Sequence, residues 1–251
     1  MRPRRIDAID AAARLSRHRS TQVAGVLAAN KDKYRGMALA DPSRKDAAEA
    51  LRAACATAPG LWTGVRFNPY LWPEKSRDTW LADDVGMRLA DVCAELKLPI
   101  GVMAFGGFSP LVPSIEALCA RGDVDVVIDH WGFPRAEPGA APSAALKFDE
   151  KAFGALCALG RKHENLYLKL SAHFRVASQD APHQDLQPRF DQAVEAFGAD
   201  RLMWGSDFPF VQLNGGQKAS LEAVRKFSSA LPKEARDAIL GGTARRLFRL
   251  P

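Results

Sequence analysis

Six short apolar runs of β-type recur along the chain with helix-type segments between them. This alternation constrains the fold more than any other feature. The runs are Tyr34–Leu39, Trp62–Asn68, Pro99–Phe105, Val124–His130, Asn165–Ser171 and Arg201–Asp207. Successive starts lie between 25 residues (Pro99 to Val124) and 41 residues (Val124 to Asn165) apart. That is the pace of βα units joined into a parallel sheet. Segment 83–96 carries Val85, Leu89, Val92 and Leu96 at spacings of three and four, the stripe of an amphipathic helix. Asp41-Pro42-Ser43 opens a helix over 44–58, with proline near its start as helices prefer. Segments 113–120, 149–162, 187–197, 219–230 and 233–240 read as helices too, and 242–248 as a short final one.

Two architectures fit this order: a (β/α)₈ barrel or a doubly wound open sheet. No GxGxxG or GxxxxGK loop follows any run. The runs end instead in polar residues: Arg66 and Asn68, His130, Lys169 and Ser171, Asp207. Barrels assemble active sites from the C-terminal ends of several strands, so an α/β fold of the (β/α)₈ TIM-barrel type is expected.

Composition narrows the class further. Of 251 residues, 47% are hydrophobic and 25% charged, which excludes a mainly disordered or fibrous chain. The net charge of +6 sits at the two ends. Residues 1–20 hold six Arg against two Asp, and residues 225–251 hold seven basic against two acidic side chains. A nucleic-acid binder spreads its basic stripe over the folded body, so no nucleic-acid partner is expected. No apolar run approaches the ~18 residues that span a bilayer, so no membrane partner is expected either. Residues 1–20 read as a basic N-terminal segment and 21–251 as one barrel domain. The segment lacks the continuous apolar stretch of a secretory signal. Cys55, Cys93, Cys119 and Cys157 form no CxxC pair and read as small apolar side chains in a reducing compartment. A cytoplasmic location is expected, with an organelle as the alternative. The Pro- and Gly-rich stretch Arg135–Ser143 follows a strand, where functional loops occur.

Four stretches could carry chemistry. In Arg201–Pro209 the strand runs into Asp207, which could bind a metal, take a proton from attacking water, or cap the next helix. In Val126–Pro134, His130 could ligate a metal, polarise a carbonyl as a neutral imidazole, or be a satisfied core histidine. Strand alternation sends the adjacent Asp129 to the opposite face, toward the backbone or an arginine of a neighbouring unit. In Gly64–Pro69, Arg66 and Asn68 share one face. An inward Arg suits a substrate carboxylate or a buried carboxylate partner. In Asn165–His173, Lys169 and Ser171 share a face. No base stands beside Ser171, so it reads as a hydrogen-bond donor to substrate and not a nucleophile. His173 and His183 fall in the following loop and read as surface residues, with His173 also a candidate for substrate binding.

Taken together, Tyr34–Pro42, Gly64–Asn68, Asp129–Gly132, Leu168–Ser171, Trp204–Pro209 and Gly241–Phe248 resemble the amidohydrolase-related family of metal-dependent barrel hydrolases. The resemblance spans roughly residues 21–250. It implies a distorted (β/α)₈ barrel in which Tyr34–Leu39 is the third strand and Arg201–Asp207 the eighth, so strands 3 to 8 are present. It implies that Asp207 is the last-strand aspartate and His130 the sixth-strand histidine; Arg66, Asn68, Lys169, Ser171 and His173 are the candidates for binding the substrate.

The chain departs from the family pattern twice. No His-x-His pair occurs, and Met103 stands where a fifth-strand histidine is frequent. A catalytic zinc needs about three protein ligands, and only His130 and Asp207 are candidates. No tightly bound metal is therefore expected, unless a longer native chain supplies histidines for zinc. Six strands of a barrel would leave two open edges. That predicts a longer natural chain, a truncated product, or cover by another subunit, with a homo-oligomer as one form. The resemblance implies a hydrolase acting on a carboxylate-bearing lactone or ester through water activated by Asp207. The alternatives are a metal-dependent decarboxylase of the same family, or a non-catalytic relative that binds a ligand or partner.

Overall fold

The computed structural model describes residues 22–68, 71–73, 79–104, 107–134 and 148–250. The basic segment 1–20 and the loop Arg135–Ser143 lie outside them. Six strands form one parallel sheet in the order of the chain: β1 (Gly36–Leu39), β2 (Trp62–Phe67), β3 (Ile100–Val102), β4 (Val126–Ile128), β5 (Leu166–Leu170) and β6 (Leu202–Trp204). The helices between them are α1 (Ala47–Ala56), α2 (Asp84–Leu96), α3 (Val112–Ala120), α4 (Glu150–Lys162) and α5 (Gln187–Phe197). After β6 come α6 (Gly216–Phe227), α7 (Lys233–Asp237) and α8 (Thr243–Leu247).

Sequential strand order decides between the two expected architectures. Right-handed crossovers that always step in one direction put every helix on the same face of the sheet. A doubly wound sheet reverses direction and covers both faces. Here the order never reverses, so the sheet has an outer, helix-covered face and an inner face, as in a barrel. All six expected strands and all the expected helices are present, with shifted ends. Pro99–Phe105, Val124–His130 and Arg201–Asp207 each contribute a three-residue strand, and in the last two the closing residues leave the ladder. His130 and Asp207 do so at left-handed φ values of 55° and 58°. The 233–240 helix stops at Asp237 and gives way to a wide π-type turn over Ala238–Gly242 before α8.

Strand alternation sorts the side chains into two apolar groups. Outward residues such as Val65, Ile100, Val126, Ile128, Leu166, Leu168 and Leu202 join the main core under the helices. Inward residues Val127 and Met203 form a second group with Phe248, Met37 and Tyr167. Phe248 follows α8, so the chain's end seals the floor of the inner face. Glycine makes room there. A Cβ on Gly101 would sit 2.6 Å from the Met37 methyl, and one on Gly64 would sit 3.0 Å away. The Met37 side chain thus lies across β2 and β3 because neither strand has a side chain at that level. Cys93, Cys119 and Cys157 are buried and unbridged. Burial pushes the Cys119 and Cys157 thiols up to about 12, consistent with inert packing.

Two glycines of α4 separate packing from propensity. A Cβ on Gly160 would meet the Phe197 ring at 2.6 Å, whereas one on Gly154 meets nothing within 4 Å. Gly160→Ala should destabilise by about 1–3 kcal/mol through overpacking. Gly154→Ala should stabilise by about 0.5–1 kcal/mol through helix propensity. Urea midpoints of the two variants check this, and equal shifts would contradict the packing described for α4 against Phe197.

Candidate functional site

The inner face changes character at the C-terminal ends of the strands. Above the Met37–Met203–Phe248 floor lies a charged layer built from Arg66 of β2, Asp129 just past β4 and Lys169 of β5. Asp129 is fully buried and ion-paired with Arg66 through its Oδ2. Its Oδ1 accepts from Lys169 Nζ at 2.6 Å. The expected opposition of Asp129 and His130 is corrected by the backbone. Asp129 keeps the inward direction of Val127, and the left-handed turn at His130 and Trp131 (φ 55° and 60°) swings the imidazole to the mouth. Positive φ at non-glycine residues costs on the order of 1 kcal/mol or more each, and such strain gathers at functional sites.

At the mouth, His130 and Asp207 meet. Ser171 Oγ accepts the His130 backbone N–H at 3.3 Å and lies 2.8 Å from His130 Nδ1. His130 Nε2 lies 3.8 Å from Asp207 Oδ1. A carboxylate facing Nε2 favours a hydrogen there, so the assigned tautomer has Ser171 donating to Nδ1 and Nε2–H facing Asp207. Burial pulls the His130 pKa down to about 3, against the pull of Asp207, so the ring is neutral at physiological pH. Burial and then the Arg66 charge pull the Lys169 ammonium down to about 7, opposed by Asp207. Burial also lowers Arg66, to about 10.

Of the residues expected from sequence, Arg66, His130, Lys169, Ser171 and Asp207 converge at this mouth. Asn68 stands one residue beyond β2, and its carbonyl accepts the Leu71 N–H at 3.0 Å. His173 and His183 are buried, not on the surface. His173 packs edge-on to Trp131, His183 and Phe227, with ring centres 5.7, 5.9 and 6.2 Å away. Its Nδ1 accepts from Trp131 Nε1 at 3.1 Å, so it braces the turn that carries His130 from behind. Sequence reasoning missed Arg175. It lies on the short turn His173–Arg175 after β5, and its Nε donates to Asp207 Oδ2 at 2.9 Å. No local pattern marks it, because the contact joins two different loops.

Could these groups hold a metal ion? Among the described residues His130 Nε2 and Asp207 are the candidate pair, 3.8 Å apart, and Arg175 already occupies one oxygen of Asp207. Zinc takes three or four ligands. Among the described residues no group of three or more His, Cys, Asp or Glu could hold a metal. By themselves the described residues do not fit a bound zinc ion.

The site is a parallel barrel-type sheet with His, Asp, Arg and Lys at its strand ends, and comparison with known proteins gives its family. A family profile described as Amidohydrolase matches residues 6–250, and the chain belongs to that family. It is 32% identical over 151 residues to an L-fucono-1,5-lactonase of Burkholderia multivorans, covering 57% of this chain and 50% of that protein. It is 32% identical over 125 residues to a 4-sulfomuconolactone hydrolase of Rhizobium radiobacter, covering 49% of this chain and 36% of that one. The chain thus spans half or less of the length of these two relatives. A solved amidohydrolase of Burkholderia multivorans with bound zinc superposes with a TM-score of 0.72 at 23% identity, covering 94% of this chain and 80% of that one. No helix among the described residues is long and apolar enough to cross a membrane.

The buried histidines set an acid limit on stability. Burial lowers both His130 and His173 to about 3 in the folded chain, against ~6.5 unfolded. Their contribution is whole above pH ~6.5 and is lost as pH falls toward 3, because only the unfolded chain takes up the protons. Each histidine contributes a slope of about 1.4 kcal/mol per pH unit. Urea unfolding at pH 7, 6 and 5 should show this fall, and His173→Phe should halve the two-histidine part of the slope. A slope unaltered by that substitution would contradict the assignment.

Proposed function

We propose that the chain hydrolyses the ring ester of a small lactone bearing a carboxylate or similar anionic group. One observation carries this reading. The Asp207 carboxylate lies beside a buried, neutral His130 whose Nε2–H points toward the same space. Asp207 takes a proton from a water molecule as its oxygen bonds to the lactone carbonyl carbon. His130 Nε2–H donates to the carbonyl oxygen, and that bond strengthens as negative charge develops there. The C–O ring bond then breaks, and protonated Asp207 returns the proton to the leaving alkoxide oxygen. Water is consumed and a hydroxy acid is formed. Ser171 holds the imidazole in its tautomer, and Lys169 and Arg66 supply positive potential from below. The names of the two lactone-hydrolysing relatives support the substrate class, one with an uncharged sugar lactone and one with an anionic lactone.

The test is hydrolysis of L-fucono-1,5-lactone and 4-sulfomuconolactone, followed by proton release. Asp207→Asn should lower kcat by about 10²–10⁴-fold. His130→Gln, which keeps a donor but loses the ring, should lower it by a smaller factor of about 10–10². Wild-type turnover in Asp207→Asn would remove Asp207 as the base and with it this mechanism.

A further inference from the structure

Asp207 does not face the mouth alone. The Arg175 guanidinium rests on its Oδ2 at 2.9 Å. The guanidinium carbon also lies 5.1 Å from the centre of the Phe174 ring and 4.9 Å from that of Phe210. Phe174 comes from the loop after β5 and Phe210 from the loop after β6, so two loops hold one arginine over the carboxylate. The three cations of the site are not equivalent. Arg66 and Lys169 both engage the fully buried Asp129 from inside the sheet. Arg175 engages Asp207, a partly exposed carboxylate, and Phe210, which packs on the guanidinium, is exposed. Arg66 and Arg175 balance Asp129 and Asp207, and Lys169, drawn down to about 7, adds a partial positive charge near neutral pH while His130 stays neutral. The three side chains are about equally exposed, at 25, 20 and 23%, but Arg66 and Lys169 are committed to a fully buried carboxylate, and the Arg175 guanidinium fork suits an incoming carboxylate.

We propose that Arg175 is a specificity latch. It covers Asp207 in the ligand-free protein and is drawn off by the anionic group of an incoming substrate. Only then does Asp207 offer both oxygens to water. An uncharged lactone enters without releasing the latch and meets an engaged base. The inference rests on the lactone reading for the identity of Asp207 as the base. The exchange of ion-pair partners does not rest on it.

Linkage makes the latch measurable without turnover. An anion that competes with Asp207 for Arg175 must bind more tightly when Asp207 loses its charge, and this gain must run through Arg175. The experiment is calorimetric titration of citrate into the wild-type chain, Asp207→Asn, Arg175→Gln and the double variant. Asp207→Asn should tighten citrate binding about tenfold, and Arg175→Gln should weaken it about tenfold or more. In the Arg175→Gln background Asp207→Asn should gain little. That coupling is the signature of the latch. Removal of a general repulsion would instead tighten both backgrounds equally, and that result overturns the proposal. So does citrate binding indifferent to Arg175. Arg175→Lys keeps the charge but loses the Nε contact. It should shift binding in the same direction as Arg175→Gln by a smaller factor, which guards against a variant that fails to fold.

Kinetics supply the second arm. Arg175→Gln should lower kcat/KM for the anionic lactone and raise it for the uncharged one, moving their ratio by ~10²-fold. Coupling in citrate binding without hydrolysis of either lactone would keep the latch and reject the lactone reading. Hydrolysis that depends on Asp207 without such coupling would keep that reading and reject the latch.

Discussion

The fully buried carboxylate of Asp129 is the constraint around which the inner face is arranged. A charge taken from water into a protein interior is tolerated only with partners, and removing one partner of such a pair costs on the order of 3–5 kcal/mol. Asp129 finds two, Arg66 from β2 and Lys169 from β5. One residue just past β4 thereby ties three strands of the sheet at one level. Below that level lies the second apolar group, with Met37 lying over Gly64 and Gly101 and Phe248 closing the floor. Everything above it is the mouth. The boundary between packing and chemistry is the plane of this ion triad.

The triad also explains why the mouth carries an imidazole and not a second ammonium. With Arg66 and Lys169 committed close by, a protonated His130 would add a third buried cation. Both neighbours and burial oppose that charge, and only Asp207 favours it. The ring therefore stays a neutral donor. Its direction is set by Ser171 on one side and by the left-handed turn braced by Trp131 and His173 on the other. In this structure a buried aromatic cluster behind the site does the aiming, and polar groups in front of it do the chemistry.

Membership of the amidohydrolase family fits a scaffold on which strand ends carry function and connecting loops vary. The matched region covers nearly the whole chain, while the aligned parts of the two lactone-hydrolysing relatives are half of those proteins or less.

The repeated βα units were legible in the sequence because strand and helix periodicity are local properties, written in spacings of two and of three to four residues. The strand-end residues were legible for the same reason: a polar residue closing an apolar run is visible without any partner. Arg66, His130, Lys169, Ser171 and Asp207 could all be read off that way. Which way a residue faces after its strand ends was not legible. Alternation gave the wrong relation between Asp129 and His130, because a left-handed residue breaks the period of two. Loop histidines looked solvated, yet His173 and His183 are buried, since their burial depends on Trp131 and Phe227, which lie far away in the chain. The site's decisive contacts join residues 41 apart, as for His130 and Ser171, or 32 apart, as for Arg175 and Asp207. Local sequence thus determined the units and the chemistry offered at each strand end. The tertiary fold decided which of those groups meet, because hydrogen bonds and ion pairs act over about 3–4 Å, and only the fold sets distances on that scale.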